Sequence, residues 1–261
     1  MLNVPYCYNC PCSFMFPYYF MCPYYSMCHE RYNKKITLQY DFSTHNINKQ
    51  NTLLKNASKD YFTKVNLQNQ TINPETFKIS YPFLKNYEPD EIKDIINDEI
   101  TNKVLDLFKN QVLIPEKIDF AEIISFYEVP LNDKGLLSIL FGIYTYVEKA
   151  AHGFTKYASI TIDIKTGKIY DFGELFNPKF FYKPLLDELA KEYIIKNNVP
   201  LLTEYNGVQP NQEFYLTPTS LVMYYQVYEY TPYAYGLFKI EIPYEKIKTI
   251  LSPASPIQRL L

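Results

Sequence analysis

Five cysteines, three histidines and a scatter of carboxylates are the side chains of this chain equipped to ligate metals, attack electrophiles or move protons. All five cysteines fall between Cys7 and Cys28, and His29 follows at once. Cys7-x-x-Cys10 has the spacing of half a zinc site, with Cys12, Cys22, Cys28 and His29 as further candidate ligands. A tetrahedral structural site normally uses two such pairs, and the second is missing. An odd number of thiols in one segment also points to intermolecular disulfides, and the tyrosines around them to oxidative cross-linking. His45 and His152 are the remaining imidazoles, too few for a His-rich zinc centre. No Gly-rich phosphate loop, G-x-S-x-G elbow or H-E-x-x-H accompanies them, and no cofactor is expected.

His152 stands in Ala151-His152-Gly153, between two runs of strand character. Its imidazole suits a ligand contact or an acid–base group. The plainer reading has the ring bonded to backbone, fixing a hairpin, while Gly153 supplies an unusual dihedral. Asp163, Asp171, Glu174, Glu213 and Glu229 lie near turns. Two of them facing each other would resemble the acid–base pair of a glycoside hydrolase, although acidic residues at turns are commonly solvated or capping. Tyr228, Tyr230, Tyr233 and Tyr235 flank Thr231-Pro232. Alternation along a strand and its following loop puts several of these phenols on one side. Exposed, they form a contact surface; buried, they are core.

The elements that position these groups follow from periodicity. Pro5–Cys28 divides into four hexads, PYCYNC, PCSFMF, PYYFMC and PYYSMC, each opened by proline. A proline every sixth residue blocks helix and central strand, so residues 1–30 read as a disordered Cys/Pro/Tyr-rich tail. Residues 36–42, 60–67 and 76–82 carry strand-like alternation. From Pro89 onward, Ile92, Ile95, Ile96, Ile100, Val104, Leu107 and Phe108 form one apolar helical stripe. Long strands are predicted over 118–129, 136–147 and 154–164, with a short one at 168–172. A second helix carries Phe181, Leu185, Leu186, Leu189 and Tyr193. Strands at 213–216, 220–227 and 235–242 follow, then a short helix from Pro243 and a loose tail over 253–261. Interleaved strands and helices indicate α+β architecture: two small domains, residues 31–130 and 131–252, of antiparallel sheet with helices on one face.

Composition narrows the biology. Twenty-six basic against 28 acidic residues leave a net charge of −2, so no basic surplus draws the chain to nucleic acid or anionic lipid. Twenty-seven tyrosines and 18 phenylalanines suit wide, half-buried sheets. No run approaches the ~20 apolar residues of a membrane span. The N-terminal residues lack the basic-then-apolar pattern of a signal peptide, so a cytoplasmic or spore-associated location is expected.

The stretch Lys134–Lys168, with its Ala-His-Gly turn and Thr166-Gly167, followed by Glu174-Leu175-Phe176 and by YEYTPYAYG from Tyr228 to Gly236, resembles the C-terminal domain of unknown function of RsiV-type anti-sigma factors and PdaC-type peptidoglycan deacetylases. Tyr81-Pro82 and Ile96-Asn97 are similar to the partner domain that often precedes it. RsiV-type proteins bind lysozyme through this domain. The resemblance therefore implies a non-enzymatic binding module, associated with the cell envelope or spore layer, for a lysozyme-like protein or cell-wall glycan. The Tyr/Cys/Pro-rich tail resembles spore-coat proteins in composition. His152, Tyr228, Tyr230, Tyr233 and Tyr235 are the candidate binding residues. Nothing resembles the deacetylase catalytic domain. The competing expectation is a cell-wall sugar hydrolase or deacetylase using His152 and a nearby carboxylate.

Overall fold

Ile92, Ile96, Ile100, Val104 and Leu107 recur at three- and four-residue steps, and that stripe forms helix α1, Asp90–Gln111. Asp90 and Glu91 occupy its first turn, against the positive helix end. The computed structural model describes residues 72–114 and 118–261. The cysteine hexads, the strands expected at 36–42 and 60–67, and His29 and His45 lie outside those residues.

The first sheet has the order β1-β2-β3-β4: β1 Thr76–Lys78, β2 Phe120–Asp133, β3 Leu136–Val147 and β4 Phe154–Asp163. β2 and β3 meet at Lys134-Gly135, a two-residue hairpin loop with φ of 49° and 76°. Both loop positions are left-handed, as the twist-compatible hairpin turn demands. Pro130, which cannot donate to a ladder, sits where the β2–β3 register shifts between Glu128 and Leu131. β1 runs parallel to β2, a correction to the all-antiparallel expectation. Helix α1 lies between the two in sequence and supplies the crossover that a parallel pair requires.

Strand alternation sorts the residues into layers. On β3 the odd positions Leu137, Ile139, Phe141 and Ile143 are buried with Ile100 and Ile123 in the core under α1. The even positions Leu136, Ser138 and Leu140 turn the other way, toward a second sheet. That sheet is antiparallel, ordered β5 Phe214–Leu216, β6 Ser220–Tyr225 and β7 Phe238–Pro243. Leu216, Met223 and Ile240 pack with Leu186, Ala190 and Ile194 of helix α2, Lys183–Lys196. Tyr215, Val222 and Tyr224 on its opposite face meet Leu140. A buried polar pin joins the sheets: the Ser138 and Thr161 hydroxyls lie 2.6 Å apart, and the Leu216 N–H donates to Ser138 Oγ at 3.1 Å. The architecture is the expected α+β class, with two sheets, each covered by a helix on one face, and a short third helix α3, Tyr244–Ile247.

Three further expectations need correction. Residues 168–172 form only a bridge, Ile169 to Ile162, before a 3₁₀ turn at Phe172–Leu175. Residues 235–237 do not extend β7; Tyr233–Tyr235 is a 3₁₀ turn after Pro232. Residues 253–261 are not a loose tail. Leu251 bridges to Phe176, Pro256–Arg259 is a 3₁₀ turn, and Ile257 is fully buried in the core around α2. The expected boundary between residues 130 and 131 falls inside β2.

Candidate functional site

The turn after β3 and the loop after β6 meet at one end of the first sheet. In the first, the His152 ring lies against its own backbone, with Nδ1 2.8 Å from the Gly153 carbonyl oxygen. A carbonyl can only accept, so Nδ1 carries a proton, and in that tautomer Nε2 is an acceptor. Tyr228 Oη lies 3.0 Å from Nε2 and donates to it. The rings of His152 and Tyr233 stack at 4.1 Å and 20°, and Tyr233 stacks in turn on Tyr228 at 5.6 Å. Both imidazole nitrogens are therefore engaged, and one face is covered.

Gly153 serves this arrangement by close approach, which corrects the expected dihedral role. Its φ is not left-handed, but a Cβ there would come 2.2 Å from the Tyr144 ring. Gly142 on β3 does the same for Phe126, whose ring a Cβ there would meet at 2.3 Å. Phe126 packs edge-on against Tyr157 at 6.0 Å. The outer part of this sheet face is thus an aromatic band, from Phe126 on β2 through Tyr157 on β4 to Tyr233 and His152. Burial raises the Tyr144 and Tyr157 phenols, and the charges of Glu122 and Glu128 push them further up.

The four candidate tyrosines separate. Tyr233 is half-buried on the His152 ring, and Tyr235 is 40% exposed, edge-on to Phe238. Tyr228 is buried behind His152. Tyr230 turns inward to the core, packing on Tyr205 and Tyr225. The expected one-sided row fails because the chain turns at 226–229 instead of continuing as a strand. The Glu229 N–H donates to the Gln226 carbonyl at 3.0 Å, and Tyr228 takes φ of 70° at the turn's third position, where glycine is usual. A bulky residue held in that region stores strain that its surroundings must offset, and such positions cluster at functional loops.

The loop is tied to the sheet by Gln226. Its Oε1 accepts the Tyr157 N–H at 2.9 Å and its Nε2 donates to the Tyr157 carbonyl at 3.0 Å. Nε2 also donates to Glu213, and the Gln226 N–H donates to Glu229 Oε2 at 2.9 Å. These partners set the amide's orientation, since the reverse would oppose oxygen to oxygen twice. Burial pushes both carboxyls above the usual carboxylate range. Gln226 and the charges of Lys156 and Lys103 draw Glu213 back, while the charge of Glu213 pushes Glu229 further up. Of the five carboxylates considered, these two come together. Burial pushes Asp163 up, but its ion pair with Arg259 and the Lys165 and Thr166 N–H groups more than offset this, so its carboxyl stays below the usual range. Glu174 pairs with Lys168 at 2.8 Å and accepts the Asp171 N–H at 3.0 Å.

The sequence marks His152 and the tyrosine loop as candidates but does not mark Gln226, Phe126, Tyr144 and Tyr157, which the structure places beside them. The available signal was Gly142 and Gly153, two glycines in a strand-and-turn segment where rings on neighbouring chain need room. Among the described residues no three His, Cys, Asp or Glu side chains come together as metal ligands, and the candidate cysteine ligands lie outside those residues. No described helix is long and apolar enough to cross a membrane.

A family model described as a protein of unknown function, DUF3298, matches residues 173–245, so the chain carries a DUF3298 domain there. The match takes in α2, the second sheet and the tyrosine loop; His152 and the first sheet precede it. Two crystal structures of DUF3298 family proteins are similar. One, from Bacteroides fragilis, is 22% identical, with 67% of this chain and 74% of that chain covered and a TM-score of 0.45. The other, from Pseudomonas aeruginosa, is 17% identical, with 66% and 83% covered and a TM-score of 0.49. No curated protein matches the chain.

Proposed function

We propose that this protein is a non-enzymatic binding module that engages a protein or cell-wall glycan through the aromatic end of its first sheet. The observation carrying this reading is the commitment of His152. With Nδ1 donating to Gly153, Nε2 accepting from Tyr228 and one face under Tyr233, the ring is built as part of a surface rather than as a free base. Tyr233 and Tyr235 extend that surface, and amphipathic rings of this kind give contact area at low entropic cost. The resemblance of Lys134–Lys168 and Tyr228–Gly236 to the lysozyme-binding RsiV-type domain supports a lysozyme-like protein as partner, and an envelope or spore-layer location with the cysteine-rich tail as a cross-linking segment.

Purified protein incubated with peptidoglycan and, separately, with lysozyme tests the reading. Stoichiometric retention that Tyr233→Ala weakens about tenfold or more is expected, with no turnover. Release of acetate or reducing ends, abolished by His152→Ala, would establish instead a sugar hydrolase or deacetylase. Immunolocalisation in sporulating cells checks the location.

A further inference from the structure

We infer that Gln226 is a latch holding the aromatic loop onto the open edge of the first sheet, and that Glu213 and Glu229 loosen it as pH rises. β4 is an edge strand, and an unpaired edge exposes backbone groups that must be satisfied or shielded. At Tyr157 the shield is one side chain: the Gln226 amide pairs with both the N–H and the C=O, as a neighbouring strand would. Two residues on stands Tyr228, the strained residue bonded to His152, and five residues beyond that Tyr233. Releasing Gln226 therefore loosens the start of the segment that carries the surface, while Tyr230 stays anchored in the core.

The carboxyls make the latch sensitive to protons. Every polar atom of Gln226 is held, and two of the partners are carboxyl groups: Glu213 on the side-chain amide and Glu229 on the backbone N–H. Both are only partly exposed. Either protonation state can accept these bonds, so protonation does not break the latch. It relieves the cost of holding two anions together away from water. Lys156 and Lys103 favour the charged form of Glu213, and Tyr224, Tyr205 and Tyr225 are the other titratable groups that feel one or other carboxyl. Burial outweighs the lysines, and both carboxyls sit above the usual range. A raised carboxyl contributes stability that is complete below the ordinary glutamate value of about 4.3 and is lost as pH climbs through the folded-state value. The closed latch is thus firmest in mild acid and weakens above it.

The inference concerns the surface proposed above and rests on that reading for its bearing on binding, but the latch is measured with no ligand present. Hydrogen exchange of the Tyr157 amide, corrected for its intrinsic pH dependence, is followed from roughly pH 4 to pH 8 in the full chain, with the Ile139 amide in the core as reference. Protection at Tyr157 is expected to fall relative to Ile139 as pH rises through the raised carboxyl range. In the isosteric Glu213→Gln/Glu229→Gln variant protection at pH 7 should be higher and nearly flat with pH. Gln226→Leu should lose it at every pH, with the His152–Tyr228 ring contact weakened in nuclear Overhauser spectra. A flat profile in the unaltered chain, or the same fall in the double variant, would overturn the latch. Failure to bind peptidoglycan or lysozyme leaves this result unaffected.

Discussion

Gly153 and Tyr144 show how single residues shape the aromatic end of the sheet. The ring occupies the space a Cβ would take, so Gly153→Ala forces Tyr144 out of its place rather than merely stiffening the turn. Overpacking of this kind costs about 1–3 kcal/mol. Urea denaturation of Gly153→Ala should show a loss in that range. The double variant Gly153→Ala/Tyr144→Ala should lose clearly less than the sum of the single losses, because removing the ring removes the clash. Additive losses would mean that Gly153 acts through backbone freedom after all. His152 and the tyrosine loop were legible from residue type and spacing. Their contact was not, because 76 residues separate His152 from Tyr228 and no local pattern relates a hairpin turn to a loop of the other sheet.

Elements in this molecule are joined by side-chain amides and hydroxyls that imitate a neighbouring strand. Asn97, buried on α1, accepts the Leu84 N–H at 2.8 Å and donates to the Leu84 carbonyl at 3.0 Å. Ser125 on β2 does the same for Ser80, at 2.7 and 2.9 Å. Together with Gln226 at Tyr157 they secure irregular chain that no ladder reaches. Asn97→Ala leaves both Leu84 groups without partners in a half-buried place. A destabilisation of about 1–3 kcal/mol is expected, with backbone exchange rising first in residues 80–88. Asn97→Asp keeps the acceptor but sets a carboxylate oxygen of a buried anion against the Leu84 carbonyl, and should be no milder. Helix α1 and strand β3 were predicted closely because their apolar periods are long and unbroken. The strand predicted from 235 was not: Pro232 and the inward turn of Tyr230 set a loop where the Tyr and Phe content suggests strand.

The fold of the described residues is closed by the segment at 257–259. Ile257 fills the core around α2, and Arg259 reaches across to pair with Asp163, which is 3% exposed at the end of β4. Asp163 has its carboxyl below the usual range, so its contribution is present above the ordinary aspartate value of about 3.9 and is lost as pH falls below that through the folded-state value. Arg259→Met leaves a buried anion without its cation. It should destabilise the fold by on the order of 2 kcal/mol at pH 7, less than a fully buried pair because the guanidinium is partly in water. The deficit should shrink below about pH 4, as the lone carboxyl protonates, in thermal melts taken across pH. A deficit constant with pH would mean the arginine acts by packing alone.

Sequence alone determined the α+β class, the amphipathic helix α1 and the long hairpin strands, because each rests on a period of 3.6 or 2 written over ten or more residues. It also singled out His152 and the tyrosine loop by type. Only the tertiary structure decided that Tyr230 is core while Tyr233 is surface, that Glu213 and Glu229 share one glutamine, and that residues 253–261 are packed. Each of these is set by contacts between segments far apart in the chain, where burial and pairing override what any local run of residues prefers.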